Sequence, residues 1–147
     1  MKESNNRRSM GGLLLVLYLG LLVYFLLFSR SFGRDTGFHE YRYNLIPFRE
    51  IVRFYTYWKQ VGLVSALLNL VGNLAGFVPL GFLLPQVLRS MRSWKQTVKT
   101  GFFLTLGLEF CQLILHAGIF DVDDILLNTA GTLIGYLIFC LFNRFRR

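Results

Sequence analysis

Apolar runs of membrane-crossing length, separated by short charged blocks, set the plan of this 147-residue chain. A helix that crosses a bilayer needs about 20 mostly apolar residues. The first run covers 10–28, with no charge between Arg8 and Arg30. A signal peptide also begins with basic residues, but this run exceeds the usual apolar core, and SRSFGRD offers no small-residue cleavage site. A retained anchor is expected. The second run, 60–88, is uncharged and contains Pro79 and Pro85. Pro79 has no N–H for the carbonyl of Ala75, so a kink or break is expected near Gly76–Gly81. The third, 100–115, carries one carboxylate, Glu109, and the fourth, 125–142, carries none.

Between the first two runs, a shorter pattern predicts an interfacial helix. Pro47 suits a first helical position. Phe48, Ile51, Val52 and Tyr55 then follow i, i+3, i+4, i+7 spacing, while Arg49, Glu50 and Arg53 project elsewhere. Tyr55, Tyr57 and Trp58 stand where the chain re-enters the membrane. The whole pattern predicts an all-α, polytopic membrane helical bundle over 1–147. It would have about four transmembrane helices and a kinked or broken second one.

Composition agrees: 54% of residues are hydrophobic, only 16% are charged, and mean hydropathy is +0.47. A soluble domain carries about a quarter charged residues. Soluble, disordered and disulfide-framework classes are excluded. The net charge of +8 does not point to nucleic acid, because ten of the sixteen basic residues sit at both termini and between the second and third runs. By the positive-inside rule these are cytoplasmic, giving a multi-pass protein of the cell membrane with both termini inside. Six more basic residues, including Arg42, Arg49 and Arg53, fall in the first external loop.

Polar residues within the runs converge at one depth. Asn69 and Asn73 share a face of the second helix, and Glu109 and Gln112 share one of the third. Asn128 lies one turn into the fourth, below Asp121, Asp123 and Asp124. All eight fall in the external half, and intramembrane polar groups mark sites by default. Each also has a plainer role. The asparagines can serve as interhelical hydrogen bonds worth about 0.6 kcal/mol apiece. Asp121 and Asp123 can favour a helix N-terminus, with Asp124 as its cap. Glu109 resists such a reading, since an acid in a helix centre costs roughly 2.5–3.5 kcal/mol. It requires a proton, water or a basic partner such as Arg49 or Arg53. Gly131 and Gly135 have the spacing of close helix approach. Cys111 and Cys140 lie at different depths and predict no disulfide. No metal-ligand spacing or nucleotide loop occurs, so no cofactor is expected.

Three segments together resemble the VanZ-like family of bacterial membrane proteins. They are Asn44-Leu-Ile-Pro-Phe48; Asn69-Leu-Val-Gly-Asn73 running on through Phe77-Val-Pro79-Leu-Gly81-Phe; and Glu109-x-x-Gln112 with Phe120-Asp121-Val-Asp123-Asp124 and Asn128-Thr-x-Gly131-x-x-x-Gly135-Tyr. Some members carry an Arg shortly before the Asp-x-Asp-Asp segment, where this chain has Gly118-Ile119. An Arg–Glu109 pairing is therefore not carried over, which leaves the external arginines as candidates. The resemblance implies a role in the envelope, with lowered susceptibility to the lipid-bearing glycopeptide teicoplanin as the namesake property. The expected function is engagement of an anionic or amphiphilic envelope molecule, such as a lipid-bearing glycopeptide or cell-wall polymer precursor. Asn69, Asn73, Glu109, Gln112 and Asn128 would contact it, Asp121, Asp123 and Asp124 would form the rim, and the external arginines would attract it. The expected partners also include membrane lipids. Two rivals remain open: a metal-dependent enzyme acting on lipid-linked phosphates, with the aspartates as ligands, and a scaffold without a ligand.

Overall fold

Leucine-rich sequence without proline carries the first helix, α1, over Lys2–Phe28. The computed structural model describes residues 2–28, 41–49, 51–53, 55–56 and 63–145, with backbone alone at 2–8 and 63–68. After α1 come a two-residue strand β1 (Tyr43–Asn44) and helical backbone at 49, 51–53 and 55–56. Then follow α2 (Leu63–Val87), a single 3-10 turn (Arg89–Arg92) and α3 (Trp94–Ile114). The strand β2 (Phe120–Asp121) leads directly into α4 (Val122–Phe145). The architecture is an all-α membrane helical bundle.

Among the described residues, three stretches are long and apolar enough to cross a membrane: Ser9–Phe28, Asn69–Val87 and Val122–Phe145. The third expected span forms a helix but is not in that set, because Lys95, Lys99, Glu109 and Gln112 dilute it. It also starts earlier than the apolar run, so two lysines occupy its first turns.

One stripe of α1 is covered. Leu15 and Leu22 join Phe77, Leu80, Leu84 and Leu108 in the core, with Tyr18, Leu19, Val23 and Leu26 packed against it. The other faces of α1, including Leu14, Leu17, Leu21 and Phe25, are exposed. In a helix apolar all round, exposed leucines are the surface lipid would cover.

The tightest contact joins α2 and α4. A Cβ added to Gly131 would lie 2.0 Å from the Leu74 carbonyl oxygen, and one on Gly135 would lie 2.0 Å from that of Val78. Because Leu74 meets Gly131 and Val78 meets Gly135, the two helices run parallel. Gly81 returns the arrangement, its added Cβ falling 1.9 Å from the Thr132 carbonyl oxygen. The predicted small-residue face is therefore a backbone-to-backbone seam. Against α4, α3 runs antiparallel, with Gly101 beside Thr132 and Thr105 bonded to Asn128. Likewise α1 is antiparallel to α2: Gly11 meets Val87, and the Tyr18 hydroxyl donates to the Gly76 carbonyl at 2.6 Å.

Of the kink or break expected in the second helix, the structure shows no break. Helical backbone continues through Pro79 and Pro85. The glycine seam contacts α2 on both sides of Pro79, at Leu74, Val78 and Gly81. The all-α expectation also omitted β1 and β2, which pair in parallel with Tyr43 opposite Phe120 and Asn44 opposite Asp121. Pro47 stands in the turn before the helical stretch rather than at its first position, and Phe48 takes a positive φ of 64°. Tyr57 and Trp58 lie outside the described residues. Cys111 and Cys140 are both free thiols.

Candidate functional site: an acidic clasp

The short ladder of β1 and β2 brings the first loop onto the start of α4. Beside it, the Phe120 N–H donates to the Arg42 carbonyl at 3.1 Å. Asp121 then caps α4, its Oδ1 accepting the Asp123 N–H at 2.8 Å. That bond satisfies one of the amide groups a helix start leaves open. The cap is thus Asp121, not Asp124 as the sequence suggested. Asp123 and Asp124 follow in the first turn, where the helix dipole favours negative charge.

Each aspartate is held by a different part of the chain. Asn44 Nδ2 donates to Asp121 Oδ1 at 3.0 Å. The Phe48 N–H donates to Asp123 Oδ1. Asn73, from α2, donates through Nδ2 to Asp124 Oδ1. Asn44 also organises its own loop, because its Oδ1 accepts the Ile46 N–H at 3.3 Å. The result is a clasp: a loop of the first connection, the first half of α2 and the start of α4 meet through three carboxylates.

Glu109 supplies the fourth strut. Its Oε2 accepts the Asp121 N–H at 3.0 Å, and the residue is 3% exposed. Its charged neighbours are Asp124 and Asp121. The expected arginine partner acts elsewhere, since the Arg53 guanidinium faces Asp121. Burial pushes the Asp121 carboxyl above the usual carboxylate range, and repulsion from Asp123 adds to this. The Asp123 N–H, the Asn44 amide and Arg53 pull in the opposite direction. Burial is the larger influence.

Of the expected residues, Asn73, Glu109, Asp121, Asp123 and Asp124 come together here. Asn128 lies one turn deeper and is 2% exposed; its Nδ2 donates to Thr105 Oγ1 at 2.8 Å, while its Oδ1 has no hydrogen-bond partner among the described residues. Gln112 is directed away and donates to the Leu26 carbonyl at 2.9 Å, tying α3 to α1. Among the described residues, Asn69 forms no hydrogen bond with the cluster and is half-buried. Arg42, Arg49 and Arg53 are exposed along the loop. Three contributors were missed: Asn44, the Phe48 N–H and Thr105. Asn44 and Phe48 bound a segment already noted in the sequence, but no spacing rule gave that segment a partner.

The arrangement separates two roles. Asp123 is wholly buried, and Glu109 nearly so. Their oxygens bind the protein's own donors. On the outer side of the same loop, Tyr43, Leu45, Ile46, Phe48 and Val52 are 58–64% exposed, interspersed with the arginines. Among the described residues, no group of three or more His, Cys, Asp or Glu is placed to hold a metal ion.

The family model described as VanZ/LLP1 matches residues 15–143. Protein VanZ of Enterococcus faecium is 28% identical over 135 residues, covering 89% of this chain and 74% of that protein. No solved structure matches the chain.

Proposed function

Because the chain belongs to the VanZ/LLP1 family, we propose that it acts at the bacterial cell membrane by engaging an amphiphilic, anionic molecule of the envelope. The engaging surface is the outer face of the clasped loop, and the buried carboxylates hold that face in place. One observation carries the reading. Bonds from Asp121 and Asp123 fix a loop that exposes apolar side chains beside Arg42, Arg49 and Arg53. Such a surface offers guanidinium groups to a phosphate or carboxylate and apolar contact to a lipid tail.

In this reading α3 also crosses the membrane, so the four helices make four passes with both termini in the cytoplasm. The alternating helix directions support it: α1 opposes α2, α3 opposes α4, and α2 runs with α4. The clasp then faces outward, where a lipid-bearing glycopeptide or a cell-wall polymer precursor would meet it. Lowered susceptibility to teicoplanin is the corresponding cellular role.

The test is teicoplanin susceptibility of a sensitive host expressing the protein at matched membrane levels. Protection by the wild type is expected to fall in Arg49→Ala/Arg53→Ala, which keeps the clasp's donors Asn44, Asn73 and the Phe48 N–H and removes the Arg53 charge facing Asp121. Asp123→Asn and Glu109→Gln should act indirectly, by loosening the loop. Full protection by the double arginine variant would remove the loop's basic face from the function.

A further inference from the structure

The opposite end of the bundle has the reverse electrostatic character. The contacts of Gly11 with Val87 and of Gly101 with Thr132 place the start of α1, the end of α2, the start of α3 and the end of α4 together. Arg89, Arg92, Lys95, Lys99 and Arg144 lie there. No Asp or Glu occurs in the sequence from Ile51 through Leu108, and none follows Asp124. Glu3, whose side chain is outside the described residues, is the acid that the sequence places near this end. On α3, therefore, the two lysines have no acid on their own helix until Glu109, fourteen positions after Lys95 and roughly 21 Å along the axis at 1.5 Å per residue.

These lysines open onto a groove of about 780 Å³, lined by Lys95, Gln96, Lys99, Thr100, Phe103 and Leu104. Its composition changes with depth. The ammonium groups, one turn apart, stand at the end of the helix, while Phe103 and Leu104 lie farther along it. Lys95 Nζ is 5.9 Å from the Trp94 ring centroid, and Lys99 Nζ is 5.9 Å from that of Phe103. Among the described residues, both cations are thus associated with aromatic faces rather than carboxylates, and they remain exposed. Phe103 and Trp94 are exposed too, the latter by 53%.

We propose that this groove binds an anionic phospholipid, with its phosphate between Lys95 and Lys99 and an acyl chain along Phe103 and Leu104. A soluble anion would leave the apolar half of the groove empty. A zwitterionic lipid would bring its own cation toward two ammonium groups that have no carboxylate partner among the described residues. The geometry therefore selects a lipid with net negative charge. A lysine near an anionic headgroup is worth roughly a fivefold preference. The inference is independent of the function proposed for the clasp.

Trp94, whose ring lies beside the Lys95 ammonium, reports on the charged end of the groove. In full-length Trp58→Phe protein, it is the sole tryptophan. The protein would be reconstituted into phosphatidylcholine vesicles containing brominated phosphatidylglycerol or brominated phosphatidylcholine, and quenching of Trp94 measured. The expected result is quenching by the anionic lipid at least fivefold above its mole fraction. That preference should disappear in Lys95→Gln/Lys99→Gln and survive in Arg144→Gln. Equal quenching by the two lipids would overturn the proposal. So would a preference that persists in the double-lysine variant, or one lost equally in Arg144→Gln, because either assigns it to the basic end as a whole. Displacement of the brominated lipid by inorganic phosphate would show a soluble-anion site and would also overturn it.

Discussion

Asn44 and Asp121 are 77 positions apart in the chain, yet the amide of one lies 3.0 Å from the carboxylate of the other. The same Asp121 oxygen caps α4, so the loop and the helix start share one acceptor. Asn44→Ala removes one of its two donors and the Ile46 turn together. A buried hydrogen-bonding group left unpaired costs about 1–3 kcal/mol. The variant should unfold at a lower temperature in detergent, and protease should cut within 41–56 well before global unfolding. Wild-type protease resistance in this segment would show that the ladder alone holds the loop.

The seam between α2 and α4 makes a sharper prediction. At Gly135 an added methyl group would meet backbone on α2 rather than a movable side chain. Gly135→Ala must push the helices apart, and overpacking typically costs about 1–3 kcal/mol. Gly107 has open space around its Cβ position. Gly107→Ala should be neutral or stabilising, by up to about 1 kcal/mol, from helix propensity. Thermal unfolding of the two variants side by side checks the contrast. Equal stabilities would mean that the seam yields without cost.

Asp121 also predicts a pH dependence. Its carboxyl is raised from 3.8 in the folded protein, chiefly by burial. A raised acid binds its proton more tightly when folded, so its contribution is fully present below 3.8. That contribution is lost as pH rises through the elevated value. The stability difference between wild type and Asp121→Asn should therefore change with pH across that window, the wild type losing relative stability as pH increases. Asparagine keeps an Oδ1 acceptor for the Asp123 N–H, which isolates the ionisation. Unfolding midpoints measured from about pH 3 to about pH 7 would reveal a flat difference if Asp121 titrates normally.

The helices and their glycine contacts were legible because both depend on local spacing. Apolar runs of bilayer length gave α1, α2 and α4, and the four-residue interval of Gly131 and Gly135 gave a close-packed face. The depth of Asn73, Glu109 and Asp124 was legible too, since a helix position converts directly to distance along its axis. Partner choice was not. Gln112 shares a face with Glu109, yet it reaches Leu26 on α1, and nothing in the spacing of α3 distinguishes these directions. The clasp was hidden for a related reason. Its donors are one side chain and one main-chain N–H from a loop, and a two-residue ladder has no periodicity to detect. The unbroken course through Pro79 reflects tertiary contact overriding a local rule. At the end of α3, His116 takes a positive φ of 49° while the Ala117 N–H reaches back to the Gln112 carbonyl at 2.8 Å. This closure usually employs glycine, so a histidine at its centre carries no sign of it.

The parallel pairing of α2 with α4 has a consequence for how the chain is made. Synthesis proceeds from the N-terminus, so α2 is complete before any of its principal partner exists. Asn73 is translated 51 positions ahead of Asp124, and the Leu74 and Val78 carbonyls precede the glycines that fit them by a similar interval. During that time α1, and then α3, are the helices available to cover α2. The central seam must close late, when α4 threads alongside a helix already in the membrane, and the loop can be clasped only then. Ribosome-arrested chains ending before Asp121 should accordingly contain inserted helices but no protected loop. Assembly of the clasped loop is thus timed by the emergence of α4.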